Sequence, residues 1–449
     1  MLLNLTIDNW MSYHDKATLS LMSTLERQHL ATLAKLPGFR SRKALPVASV
    51  YGGNASGKTA LFKALACLKS MVVVGSDVDA MVPVEPFLLE KGSILKPTVF
   101  DITFLAAETV YRLVIEVTVD SVTYESLSIV KESGEVDVYE RSEQLSFGSA
   151  VNDRFFKDIE RTRFVMQGTR KNQLFLNAAA AQNIVELEAV YRWFSETLVM
   201  IGVESHVWTF ATCCQERDGF LDYVSGKLAE LDTGVTRIGG EQVGVEQVPF
   251  KSQSFKRAMA ELKPDEVITV VGDRSAGDYG FEMFTVSRDK DELCAEKLRT
   301  FHRRLDGSEV SFDLNRESSG TKRLLQLLPM MFDLTGPGNI TGERVYVVDE
   351  LDRCLHTMLT TRLVEDFLAT CGPETRKQLL FTTHDLLLMD QSLLRRDEMY
   401  IAQRDASGCS ELVGLADFEG IRYDKDLVRS YLDGRFGGVP MLGSGESRG

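Results

Sequence analysis

The chain opens on a strand-like alternation, with apolar residues at Leu2, Leu3, Leu5 and Ile7, then Trp10, and after a polar break Ala17 to Leu21. Residues 26–44 form a polar excursion before a short apolar run, Pro46 to Val50. A glycine-rich loop follows, and then a helix is predicted from about Lys58 to Val73, where apolar residues recur at helical spacing. Between 98 and 131 the period returns to two in TVFDITFLA, TVYRLVIEVTV and VTYESLSIV, the pattern of a β-meander. Residues 155–235 are amphipathic at helical spacing, as in QNIVELEAVYRWFSETLVMIG and RDGFLDYVSGKLAELD. The glycine-rich stretch 234–252 reads as a turn or small hairpin, 253–264 as a helix, and VITVVG, FEMFTVSRD and HRRLDGSEVSFDL as short strands.

In the last third, buried strands alternate with helices: helix 320–334, Gly336-Pro337-Gly338, strand RVYVVDE, helix 357–370, strand QLLFTTHD and strand DEMYIAQR. Such alternation predicts an α/β fold with a largely parallel sheet. Its first strands lie near the N-terminus and its last near residue 400, so the middle is expected to be an insertion. The expected division is 1–154, an N-terminal lobe with the glycine loop and meander; 155–300, a mainly helical insertion; and 301–449, a C-terminal lobe. Neither an internal repeat nor sustained heptads occur, which argues against a long coiled-coil arm.

Composition narrows the class. With 449 residues, 44% hydrophobic and 26% charged, the chain has the balance of a globular protein of two or three lobes. No apolar run reaches the roughly 18 to 20 residues that span a bilayer, so no membrane role is expected. The opening MLLNLTIDNWMSYHD meets an acid and a tryptophan too early for a signal-peptide core. Seven scattered cysteines, including the vicinal Cys213-Cys214 without a CxxC partner, suggest a reduced, cytoplasmic protein. The net charge of -14, from 51 basic and 65 acidic side chains, disfavours non-specific coating of nucleic acid. Contact with DNA or RNA would need a local basic patch or a partner.

Four segments carry candidate chemistry. Gly52, Gly53, Asn54, Ala55, Ser56, Gly57, Lys58, Thr59 and Ala60 fit G-x-x-x-x-G-K-[ST] between a strand and a helix, the arrangement of a P-loop. Backbone amides at the helix start face phosphate, Lys58 reaches the β- and γ-oxygens, and Thr59 ligates Mg²⁺. Four apolar residues then two acids, Val345 to Glu350, supply Asp349 to hold Mg²⁺ through water and Glu350 as general base. The turn Ser318-Ser319-Gly320 opens a helix; it fits an ordinary helix cap and also a second anion site. Thr382-Thr383-His384-Asp385 ends a buried strand, where His384 is either structural or a contact to the γ-phosphate that positions the attacking water. One nucleotide does not need two phosphate-binding helices far apart in the chain. Two copies do, if the serine turn of one caps the γ-phosphate held by the other, with ATP as the adhesive.

With these four parts in this order, the chain resembles ABC-type ATPases of the SMC and OLD branch. The resemblance aligns Ser318, Ser319 and Gly320 with an S-G-G signature, Thr321 standing where Gln or Glu is usual, and puts Asp352 in a dimer-contacting loop. It is more closely similar to compact AAA-type ATP-binding proteins of phage-defence operons, the group of RloA, the AbiL ATPase and the PARIS ATPase AriA. That likeness rests on ESSGTKRLL, VVDELDRCLH, QLLFTTHD, LRRDEMY, YLDGRFGGVPML and NQLFLNAAA. It implies a P-loop NTPase with an ABC-type head and a mixed β-sheet, ATP and Mg²⁺ as cofactors, and an ATP-sandwich dimer or higher homo-oligomer. It further implies a separately encoded effector such as a TOPRIM-like or other nuclease, with a phage protein or DNA as trigger. No glutamine loop is recognisable, Pro86-Phe87 lying near its expected place, and Thr357 stands where a proline usually follows the DELD stretch. OLD proteins carry a fused nuclease, whereas here 449 - 384 = 65 residues follow His384, so cleavage is expected from a partner. The alternative function is an SMC-like DNA repair or maintenance ATPase acting directly on DNA.

Overall fold

The computed structural model describes residues 1–142, 152, 154–203, 208–249, 257–259, 261–263, 266–272, 282–289, 292–336, 342–418, 420 and 426–438. They form two compact units, one of Met1–Gly202, Thr341–Asp352 and Val364–Gly449, the other of Val203–Ile340 and Arg353–Leu363.

The first unit contains two six-stranded sheets. In one, the strands run in the order Ala17–Ser20, Leu2–Asp8, Thr98–Ala106, Thr109–Val117, Val122–Lys131 and Gly134–Ser142, all antiparallel. The other is the expected parallel sheet, in the order Leu198–Ile201, Arg344–Val348, Lys377–Thr382, Val47–Tyr51, Met399–Arg404 and Ser410–Gly414, with only the last pairing antiparallel. All five residues of Val47–Tyr51 are buried, as a strand covered on both faces requires. The helix Lys58–Val73 follows it at the expected bounds and buries Leu61, Leu65, Leu68 and Val72 in the same core as Phe100, Phe104 and Trp193.

Polar side chains join these layers. Gln378, fully buried on its strand, accepts from Leu2 N at 2.6 Å and donates to the carbonyls of Leu2 and Leu45 at 2.9 and 2.8 Å. Burying an amide without such partners would cost several kcal/mol, about 2 to 7. Glu125, also fully buried, accepts from Tyr139 Oη and from the amides of Phe175 and Leu176, and lies 3.6 Å from Arg141. The NQLFLNAAA segment is thereby tied to the meander. In LRRDEMY, Arg395 grips Asp397 with two hydrogen bonds of 2.8 and 2.7 Å, and Asp397 also accepts from the amide and hydroxyl of Thr24.

The second unit holds a five-stranded antiparallel sheet, ordered Val235–Val243, Glu292–Arg303, Glu282–Asp289, Val267–Gly272, with Glu309–Asp313 also paired to Glu292–Arg303. Helices Trp208–Glu216, Phe220–Glu230 and Ser319–Thr335 contribute to its core, where the Phe220 and Phe332 rings meet edge-on at 5.3 Å. The stretch 234–252 is therefore corrected from turn or small hairpin to a nine-residue strand, Val235–Val243. Its glycines admit neighbours rather than break the strand: a Cβ on Gly240 would lie 2.3 Å from Glu296 Oε2. Arg237 lies over the Phe301 ring, 3.4 Å from its centre. Helical structure in 155–300 thus concentrates before Glu230, with strands dominating after it, and the compact units divide the chain elsewhere than at 154 and 300. Of the helix expected over 253–264, residues 257–259 are helical and much of the remainder lies outside the described residues, as do Pro337, Gly338 and the chain from 439.

Burial also sets one titration. Glu398 is buried, with Oε2 accepting from Arg395 N at 2.8 Å and Oε1 without a hydrogen-bond partner. Desolvation pushes its pKa up to about 8, the Arg395 amide opposing and Asp397 reinforcing the rise. Between the unfolded value near 4.5 and about 8, the folded state holds a proton that the unfolded state has lost, so this group's contribution to stability declines as pH rises. We predict that Glu398→Gln gains melting temperature relative to the parent as pH is raised from 5 to 8.5. A difference between the two proteins that stays constant across this range refutes the assignment.

Candidate nucleotide site

Parallel strands deliver their following loops to one edge of the sheet, and three of the candidate segments leave it there. The loop after Val47–Tyr51 depends on two glycines. Gly52, at φ 148°, passes so close to Met399–Arg404 that a Cβ would sit 2.2 Å from Ala402 O. Gly57, at φ 109°, would drive a Cβ to 2.7 Å from Ser410 Oγ and 3.1 Å from Tyr13. The N-terminal turn supports the loop from this side: Trp10 Nε1 donates to Ala60 O at 2.8 Å, and Tyr13 Oη to Gly57 O at 3.4 Å. Ala55 also takes a left-handed conformation, φ 60°.

Lys58 is buried, and its ammonium donates to the carbonyls of Gly52 and Gly53 at 2.8 and 2.9 Å. Desolvation lowers its pKa, opposed by the negative charges of Asp349, Glu350 and Asp352. Gly57 provides no side-chain cap for the helix start, and the buried Ser56 Oγ has no hydrogen-bond partner. A cationic, glycine-rich loop at an uncapped helix N-terminus fits a phosphate group.

Asp349 and Glu350 follow Arg344–Val348, whose register aligns Val348 with Phe381 on the neighbouring strand. Asp349 is buried; its Oδ1 accepts from Thr382 Oγ1 at 2.6 Å and lies 3.4 Å from Thr59 Oγ1. Glu350 has a left-handed backbone, φ 49°, and its amide donates to Thr382 Oγ1 at 2.8 Å. His384 is exposed, and its amide faces both carboxylate oxygens of Asp352 at 3.3 Å. Lys58, Thr59, Asp349, Glu350 and His384 therefore all belong to the first unit. The pair Thr59 and Asp349 offers a hydroxyl and a carboxylate, hard oxygen donors suited to Mg²⁺, whose other ligands would be phosphate and water. Among the described residues, no group of three or more His, Cys, Asp or Glu side chains converges as a metal site.

Ser318, Ser319 and Gly320 belong to the second unit. Ser318 Oγ accepts from Thr321 N at 3.1 Å, an ordinary N-cap of helix Ser319–Thr335. Gly320 is required by contact, since a Cβ there would lie 2.9 Å from Cys354 O. Glu317, just before the turn, accepts from His302 Nε2 at 2.8 Å and from Thr300 Oγ1. Sequence reasoning assigned no role to Thr382, Trp10, Tyr13 or Ser410; the doubled threonine of FTTHD was the available signal for the first of these.

The chain belongs to the family described as "AAA domain, putative AbiEii toxin, Type IV TA system", whose model matches residues 47–168 and 228–390. Its fold is the mixed α/β fold of P-loop ATPases. No curated protein matches it. Among solved structures it is similar to the SMC head domain from Thermotoga maritima, at 12% identity and a TM-score of 0.37, covering 92% of this chain and 98% of that one. It is also similar to the recombination mediator protein RecF-ATP of the RecFOR pathway, at 11% identity and a TM-score of 0.36, covering 92% and 99%. Among the described residues, no helix is long and apolar enough to cross a membrane.

Gly57 offers a direct test of the cradle. Gly57→Val adds both a collision with Ser410 and a left-handed β-branched residue. Affinity for a fluorescent ATP analogue is expected to fall about ten-fold or more, a loss of roughly 1.4 kcal/mol, with the far-UV circular dichroism retained. Unchanged affinity removes the cradle assignment.

Proposed function

We propose that this protein is a Mg²⁺-dependent ATPase that associates with a second copy of itself around ATP and thereby controls a separate effector. The observation carrying this reading is the meeting of three distant chain segments at Asp349, whose Oδ1 is contacted by Thr59 and Thr382 while the next residue, Glu350, is held by the same threonine. A metal-holding acid and a water-activating acid at the edge of a phosphate cradle are the parts that phosphoryl transfer to water needs.

In this reading the amides of Gly52 to Ala60 and the Lys58 ammonium bind the triphosphate, and Thr59 and Asp349 orient Mg²⁺. Glu350 takes the proton of the attacking water, and His384 holds that water against the γ-phosphate. Ser318, Ser319 and Gly320 of the second copy close over the γ-phosphate, so that hydrolysis releases the pair. The effector is a partner protein, a nuclease in the type of system that the RloA, AbiL and PARIS resemblance implies, with a phage protein or DNA as the trigger. The setting is cytoplasmic. The net charge of -14 favours this arrangement over a direct grip on DNA, which would require a concentrated basic surface.

The purified chain is expected to hydrolyse ATP slowly, and Lys58→Ala to bind no ATP. Glu350→Gln is expected to bind ATP and Mg²⁺ without turnover and to double its mass by light scattering. Hydrolysis that survives Lys58→Ala overturns the ATPase reading. A Glu350→Gln protein that stays monomeric with bound ATP overturns the association, and turnover stimulated by duplex DNA favours the repair alternative.

A further inference from the structure

We propose that Thr382 is a positioning residue that fixes both acids for a metal–nucleotide complex, an inference that rests on the ATPase reading above. Thr382 ends the strand Lys377–Thr382, two positions before His384, and is buried. Its hydroxyl oxygen accepts from Glu350 N at 2.8 Å. A hydroxyl has one proton, and here that proton goes to Asp349 Oδ1, 2.6 Å away. One atom thus bonds the Asp349 carboxylate and also the backbone of Glu350, which stands at φ 49°, a region that non-glycine residues seldom occupy. Thr59 Oγ1 donates to the same Oδ1 at 3.4 Å, a longer bond than that from the strand side.

The neighbouring threonine does a different task. Thr383 Oγ1 accepts from Asp385 N at 2.9 Å, and its amide donates to Val50 O at 3.1 Å, continuing the sheet. Valine at 382 keeps the β-branched shape and the Leu351 N to Thr382 O bond of 3.0 Å, which does not use the hydroxyl. The turn therefore stays attached in Thr382→Val while both hydroxyl bonds are lost, and Thr382→Ser restores the hydroxyl alone.

Groups that orient a metal ligand typically change metal affinity by about ten- to a hundred-fold when removed. With the full chain and a non-hydrolysable ATP analogue, Mn²⁺ binding followed by electron paramagnetic resonance is expected to weaken about ten-fold or more in Thr382→Val and to recover in Thr382→Ser. Analogue affinity measured in EDTA should be unchanged, and ATP turnover should show a lower kcat at constant KM. Mn²⁺ affinity within two-fold of the parent in Thr382→Val, or Thr382→Ser behaving like Thr382→Val, overturns the positioning role. A parent protein that takes up neither analogue nor Mn²⁺ instead overturns the ATPase reading beneath it.

Discussion

The candidate site depends on one constraint, that the strand Val47–Tyr51 is buried on both faces and paired on both edges. Its partners Lys377–Thr382 and Met399–Arg404 both run parallel to it, and Arg344–Val348 runs parallel one place further out. A parallel sheet has a single carboxyl edge, so loops separated by some three hundred residues in sequence must emerge together. The loop of Lys58, the turn of Asp349 and Glu350, and the turn of His384 are neighbours for that reason alone. No long-range recognition between them is needed beyond the register of the strands, which sets Thr382 beside Val50 and Phe381 beside Val348.

That constraint also explains what could be read from sequence. A doubly buried strand is rich in apolar residues, so Pro46 to Val50, RVYVVDE and QLLFTTHD announce themselves, and the helix Lys58–Val73 has enough periodicity to fix both ends. Val235–Val243 was not legible because its stabilisation comes from cross-strand contacts. Arg237 lies over Phe301 and Glu296 crowds Gly240, and neither contact leaves an alternation within the segment itself. The same holds at the site. Lys58, Thr59, Asp349 and Glu350 are candidates by local motif, whereas the contacts of Thr382 exist only once two strands are in register, and the support from Trp10 and Tyr13 requires the chain's first turn to return beneath residue 57.

The two candidate anion sites differ in how their helices are prepared. At the start of Ser319–Thr335, the Ser318 hydroxyl already accepts from Thr321 N, and Lys322 is drawn to the carbonyl of Asn315. That end is stable without a ligand. At the start of Lys58–Val73 no side chain caps the helix, Ser56 Oγ is buried without a partner, and two carbonyls of the loop occupy the Lys58 ammonium. Desolvation lowers the pKa of that ammonium despite the nearby carboxylates. An anion of high charge would complete this end far more than the other, which supports the proposal that the glycine loop is the primary phosphate site and the serine turn an accessory surface.

In the proposed reading, the electrostatics of the loop give the hold on Asp349 its purpose. Asp349, Glu350 and Asp352 all bear on Lys58, and three carboxylates facing one ammonium leave the region net negative, unfavourable for a triphosphate. In the proposed reading a divalent cation offsets these carboxylates against the triphosphate, and a carboxylate held in one orientation is best placed to meet it. The short bond from Thr382 ties Oδ1 to the strand with a group that adds no charge of its own. A lysine or arginine in the same place would neutralise Asp349 and compete with the proposed metal. A neutral hydroxyl that itself accepts from the Glu350 amide orients the acid while leaving its charge for the proposed ion.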